Sequence, residues 1–165
     1  GGLDVTNCVE PVCSDLVDTF GGERLSDGTD IFGEGYSDCV LMTSTGLIEN
    51  EPEVVEGVLK ALMVSQQFVE QNQDAAIDIT FGKWYKVAER SLVELALGSV
   101  YPQIDQRNQI DFIMNGVAFM KELGYITDNN ASLVDSPDKV FDWDPMLNVI
   151  DENPELYDSL EAKSE

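Results

Sequence analysis

The residues best suited to chemistry in this sequence lie in Thr6-Asn7-Cys8-Val9-Glu10-Pro11. Asn7 both donates and accepts hydrogen bonds, and Glu10 can pair with a cation or orient a donor. If residues 2–9 form a short strand, this hexapeptide sits beyond its carboxyl end, where α/β folds present polar atoms to ligands. The plainer alternative is a strand-to-helix turn with Glu10 in solvent and Pro11 starting the helix. A second polar turn, Thr43-Ser44-Thr45-Gly46, could cradle an anion with hydroxyls and backbone N–H groups, or serve only as a turn. It has neither a GxGxxG spacing nor a Walker lysine, so it does not point to a nucleotide. Asp27-Gly28-Thr29-Asp30 and Asp128-Asn129-Asn130 lack EF-hand spacing and read as polar loops. In Asp142-Trp143-Asp144 the indole reads as a loop anchor. Catalysis would need paired carboxylates, for example Glu10 with Asp4 or Asp38, held so that their pKa values separate. The reading preferred over that one is no enzyme.

What the chain lacks narrows the choice further. It contains no histidine, which removes the usual general base near neutral pH, the Ser-His and Cys-His pairs, and histidine metal sites. No cofactor is expected. The three cysteines, Cys8, Cys13 and Cys39, form no CxxC motif. Cys13 and Cys39 sit in apolar patterns, so free buried thiols are expected, with a disulfide between some pair left open for an exported protein.

Composition sets the outer bounds. The 165 residues suffice for one domain with a core. Thirty-two acidic residues against nine basic ones leave a net charge of −23. Nucleic-acid binding needs a basic footprint and is excluded on this count, and anionic membranes are disfavoured likewise. The acids are spread along the chain and read as a strongly solvated surface. No run approaches the ~18 apolar residues of a membrane span. The chain opens on Gly-Gly with no signal peptide, and is read as a fragment or a processed form.

Elements must hold these residues in place. Val12–Phe20 carries apolar residues at helical spacing and stops at Gly21-Gly22. Arg24-Leu25 suggests an inserted strand, and Cys39–Met42 a central one. Asn50-Glu51-Pro52-Glu53 opens a long helix, with Asn50 or Glu51 as cap and Pro52 in the first turn. Val55, Val58, Leu59, Leu62, Gln66 and Val69 form its inner face, and it ends near Asn72. A short helix over 74–80 follows, with Ala75, Ala76 and Ile79 on one face. A helix over 84–97 would turn Trp84, Val87, Ala88, Leu92, Leu95 and Ala96 inward. Tyr101-Pro102 marks an extended turn. A helix over 108–123 places Ile110, Ile113, Met114, Val117 and Met120 at core spacing and stops at Gly124. Pro154-Glu155 opens a last helix over 155–162.

Three features, in order, resemble the solute-binding proteins of nitrate/sulfonate/taurine-type ABC importers, relatives of the thiamin pyrimidine-precursor synthases. They are Gly2-Leu3-Asp4-Val5 followed by Glu10-Pro11; Asp38-Cys39-Val40-Leu41-Met42; and Glu49–Val55 continuing to Phe68-Val69-Glu70-Gln71-Asn72. The resemblance covers most of this chain but only the second half of such a protein. It implies a helix-rich α/β chain, the C-terminal half of a type-2 periplasmic-binding fold. Residues 1–37 would end lobe two, 38–46 would cross over at the hinge, and 47–165 would pack on lobe one. Thr6, Asn7, Cys8, Glu10 and Pro11 would meet the solute, and Cys39 and Val40 would lie at the hinge. The implied function is delivery of a small sulfonate-, nitrate-, taurine- or thiamin-precursor-like solute to the membrane permease of an importer. The implied location is periplasmic or extracellular, with a lipid anchor upstream of this segment. An unpaired strand edge near residues 3–6 would invite self-association. The dense cysteine cluster of the thiamin-precursor synthases is not reproduced by Cys8 and Cys13.

Overall fold

The computed structural model describes residues 2, 4–86, 89–100 and 102–163. The expected roles of Leu3 in a strand, Val87 and Ala88 on a helix face, and Tyr101 in a turn lie outside the described residues.

Every regular element among the described residues is helical, so the α/β periplasmic-binding fold is corrected to an all-helical one. Neither the segment 4–9, nor Arg24-Leu25, nor the Cys39–Met42 run is a strand. A strand exists only through a ladder with a neighbour. These apolar stretches are short, and none has an extended partner. The carbonyl of Cys39 instead accepts from the Gln106 amide (2.9 Å) and the Ser37 hydroxyl (3.1 Å). Val40, Leu41 and Met42 are exposed. The strand edge expected to drive self-association is accordingly not formed by residues 4–6.

Helix α1 (Val12–Phe20) has the boundaries its pattern demands, and Gly21 ends it at φ 66°, a left-handed position that favours glycine. A single turn α2 (Thr29–Phe32) is followed by α3 (Thr45–Asn50) and α4 (Pro52–Gln71). Pro52 begins α4, as expected from its missing N–H. Helix α5 (Gln73–Ile79) runs into a π-helical turn at Thr80–Trp84 around Gly82. The next helix, α6 (Arg90–Ser99), begins six residues later than the spacing suggested, and Trp84 is exposed. After a 3-10 turn at Arg107–Gln109 come α7 (Ile110–Glu122), α8 (Pro137–Val140), α9 (Asp144–Glu152) and α10 (Pro154–Asp158).

The chain forms two interleaved compact units. One comprises residues 1–31 and 68–102. There α6 packs on both α1 and α5, and buries Leu92, Val93 and Ala96 alongside Ala76 and Ile77 of α5. The other comprises 32–67 and 103–165. Its core joins Val55, Leu59 and Met63 of α4 to Met146 and Val149 of α9 and to Leu160. Each such side chain contributes about 1.5–3 kcal/mol on burial. The inner face of α4 is thus Val55-Leu59-Met63-Gln66, and Val58, expected inside, is exposed. Helix α7 differs from expectation too: none of its residues is fully buried, and Met120 is exposed. Phe112 packs instead against Phe32 and Tyr36 in an aromatic cluster with ring centroids 5.3–6.1 Å apart.

Candidate functional site

The loop expected to hold a solute is occupied by its own chain. Cys8 and Cys13 form a disulfide, which corrects the expectation of free buried thiols, and Cys39 is a free but exposed thiol. Between the two bridged cysteines, the Glu10–Pro11 peptide is cis and Pro11 is buried. The Glu10 carboxylate accepts from the backbone N–H (3.2 Å) and hydroxyl (2.8 Å) of Ser14 and pairs with the Arg24 guanidinium. Partial burial pushes the Glu10 pKa up. The donors Ser14 and Arg24 outweigh it and hold the carboxyl below its ordinary value. Thr6 and Asn7 are exposed, and the Thr6 hydroxyl reaches the Asn7 carbonyl at 3.4 Å. Of the five residues, the structure therefore brings Cys8, Glu10 and Pro11 to the start of α1 and leaves Thr6 and Asn7 in solvent. Of the two hinge residues, Cys39 has a bonded carbonyl while Val40 is exposed. In the Thr43–Gly46 turn, the Ser44 hydroxyl accepts from the Leu47 N–H (3.2 Å) and caps α3, leaving no convergent anion cradle.

A second polar cluster went unseen in the sequence. Asp105 is 1% exposed and grips Arg107 in a two-pronged pair, with Nε to Oδ1 at 2.9 Å and Nη2 to Oδ2 at 2.7 Å. The Tyr157 hydroxyl donates to Asp105 Oδ2 at 2.6 Å, and Arg107 also reaches that hydroxyl at 3.2 Å. Burial raises the Asp105 pKa, yet these donors overcome it and hold the carboxyl below its usual range. Burial and the neighbouring Asp105 both raise the Tyr157 phenol. Beside them, the Gln66 amide is 1% exposed. It donates to the Ala162 carbonyl (2.6 Å) and accepts from the Ile104 N–H (2.9 Å). The network fastens α4, the segment before α7 and the turn after α10 to one another. The sequence offered only one clue, Gln66 on an otherwise apolar face. Asp105 and Tyr157 are 52 positions apart, beyond any local pattern.

In the first unit, Arg90 binds Asp78 (2.6 Å), Asp74 (3.0 Å) and Glu94. An open depression of about 870 Å³ lies nearby, lined by Glu70, Asp74, Ile77, Glu94 and Leu97 among others. Arg90 engages two of its carboxylates, so the wall is partly neutralised. Among the described residues, no group of three or more Asp, Glu or Cys could hold a metal ion, and none of the helices is long and apolar enough to cross a membrane.

Among several exposed apolar stretches, one lies on a long regular helix, the outer face of α4. Val54, Val58 and Val64 are each 45–48% exposed, and Gly57, Ala61 and Ser65 are exposed between them. At 100° per residue these six span roughly 120° of the helix surface, directly opposite the buried face. A helix apolar on both sides is ordinarily enclosed on both. Among the described residues the buried Asp105 and Gln66 have partners within the chain, whereas this face is left about half exposed.

Compared with known proteins, the chain matches no protein-family model, no curated protein and no solved structure.

Proposed function

We propose that this chain is a helical interaction domain that docks another protein on its second unit. The observation that carries this reading is the exposed, uncharged outer face of α4 in a chain of net charge −23. Specific recognition surfaces combine such an apolar centre with a charged rim. The polar groups expected to meet a small solute, Cys8 and Glu10, are instead bonded to Cys13, Ser14 and Arg24. An extracytoplasmic location is part of the proposal, because disulfides such as Cys8–Cys13 persist in oxidising compartments.

The competing reading is the importer's solute-binding component, drawn from the order of the sequence motifs. Thermal-shift titration separates the two. A solute that binds only the folded chain adds about 2.7 kcal/mol at one hundred times its Kd. Nitrate, taurine, alkyl sulfonates and thiamin precursors are expected to leave the melting temperature unchanged. A saturable rise with any of them would overturn the interaction-domain reading.

A further inference from the structure

Resting on the interaction-domain reading, we infer that the outer face of α4 takes a basic amphipathic helix, with the cationic end of that helix on Glu49, Glu51 and Glu53. Val54, Val58, Ala61 and Ser65 follow one another at steps of four, three and four residues. That is the spacing of a seam on which a second helix lies lengthwise. The middle of the seam is small: Gly57, Ala61 and Ser65 flank its axis, and a Cβ placed on Gly57 would meet nothing within 4 Å. Small residues allow helix axes to approach to the close end of the 8–10 Å range.

Charge selects among occupants. The seam bears no charge, and Lys60 is the sole cation of α4. At its amino end Glu49, Glu51 and Glu53 are exposed within five positions. A second copy of this chain would bring a further −23 against the first, and an acidic helix, a nucleic acid or an anionic lipid surface meets the same repulsion. A helix with Lys or Arg at the end facing Glu49–Glu53 gains attraction there and buries its apolar stripe along Val54–Ser65. Rim charges of this kind act mainly on association rate and salt dependence, and the apolar centre on residence time.

The test uses the full chain and three synthetic peptides sharing one composition rule: a Lys/Arg-flanked amphipathic helix, the same seam flanked by Glu, and a scrambled basic peptide of equal charge. Calorimetry is expected to show one-to-one saturable binding of the basic helix alone. Ala61→Arg places a bulky cation on the seam and is expected to weaken binding at least about tenfold, as central contacts do. Gly57→Arg raises helix propensity and serves if Ala61→Arg misfolds; circular dichroism checks both. The triple change of Glu49, Glu51 and Glu53 to Gln is expected to weaken binding about threefold to tenfold and flatten its salt dependence.

Equal binding of the scrambled peptide, or binding that Ala61→Arg and Gly57→Arg leave intact, would overturn the assignment to α4 while leaving an interaction domain. A dimer in sedimentation that Ala61→Arg dissolves would give the face to a second copy. No binding by any of the three peptides, with the chain monomeric, would overturn the basic-helix inference, whereas a saturable thermal shift with a small solute is what removes the interaction-domain reading.

Discussion

Two clusters in this molecule use nearly the same chemistry at different depths. Glu10, Ser14 and Arg24 join a carboxylate, a hydroxyl and a guanidinium within fifteen residues of the first unit, with the Glu10 side chain 9% exposed and Ser14 buried. Asp105, Arg107 and Tyr157 join the same three kinds of group in the second unit, but across 52 positions and with the carboxylate 1% exposed. The two guanidiniums are similarly exposed, 38% at Arg24 and 31% at Arg107, so water screens both. Asp105 has given up its water entirely, so its donors are its whole solvation. What separates the clusters is the depth of the carboxylate, 9% against 1% exposed, and the reach of its partners along the chain, 14 positions against 52.

The difference is sharpest at Asp105. Asp105→Ala removes the shared acceptor of the Tyr157 hydroxyl and of the partly exposed Arg107 guanidinium, and is expected to cost about 2–3 kcal/mol, read as a lower midpoint in urea with the slope unchanged. Acid adds a signature. The Asp105 pKa is lowered by folding, so its stabilisation is full above the unfolded value near 3.8 and is lost as pH falls through the lower folded value. The stability gap between the native chain and Asp105→Asn should therefore be constant from pH 7 to about pH 5 and close below pH 4. A gap that shows no narrowing as pH falls below the unfolded value would show that shape, not charge, holds the site together.

Reducing Cys8–Cys13 ranks next. A loop this short contributes about 2 kcal/mol by chain entropy, and its opening also frees the Val9 carbonyl that accepts from Cys13 N–H and caps the start of α1. Dithiothreitol is expected to lower the melting temperature of the native chain and to leave a Cys8→Ser/Cys13→Ser double variant unmoved. Two-dimensional NMR should then show the Glu10 carboxyl titrating closer to its ordinary range.

Arg24→Ala is expected to have the smallest effect, under about 1 kcal/mol. If chemical denaturation found it as costly as Asp105→Ala, the contrast between the clusters would collapse.

Legibility followed the range of each interaction. Val12–Phe20 and its Gly21 stop were readable, because a helix and its left-handed end depend on residues within four positions. Pro52 and the far end of α4 near Gln71 were readable for the same reason. Burial was readable only in part. Val55, Leu59 and Gln66 lie inside as expected, whereas Val58 and Met120 are exposed, since periodicity shows that a face is apolar without showing that anything covers it. The strands were misread because an apolar run such as Cys39–Met42 becomes a strand only when another chain segment pairs with it. At the candidate sites, Glu10 was singled out for its type and then found with local partners. The spacing of Cys8 and Cys13 did not announce their bond, and Asp105 carried no sign of its burial.

What the sequence determined by itself is the acidic surface, the lack of histidine chemistry, helix Val12–Phe20 with its Gly21 stop, and the opening of α4 at Pro52, all consequences of composition or of contacts a few residues long. What only the tertiary structure decided is which apolar face of α4 is enclosed and which is left open, and which carboxylate gives up its water. Both depend on segments far apart in the chain meeting in space: α9 and Leu160 cover Val55, Leu59 and Met63, and Arg107 and Tyr157 take the place of solvent around Asp105.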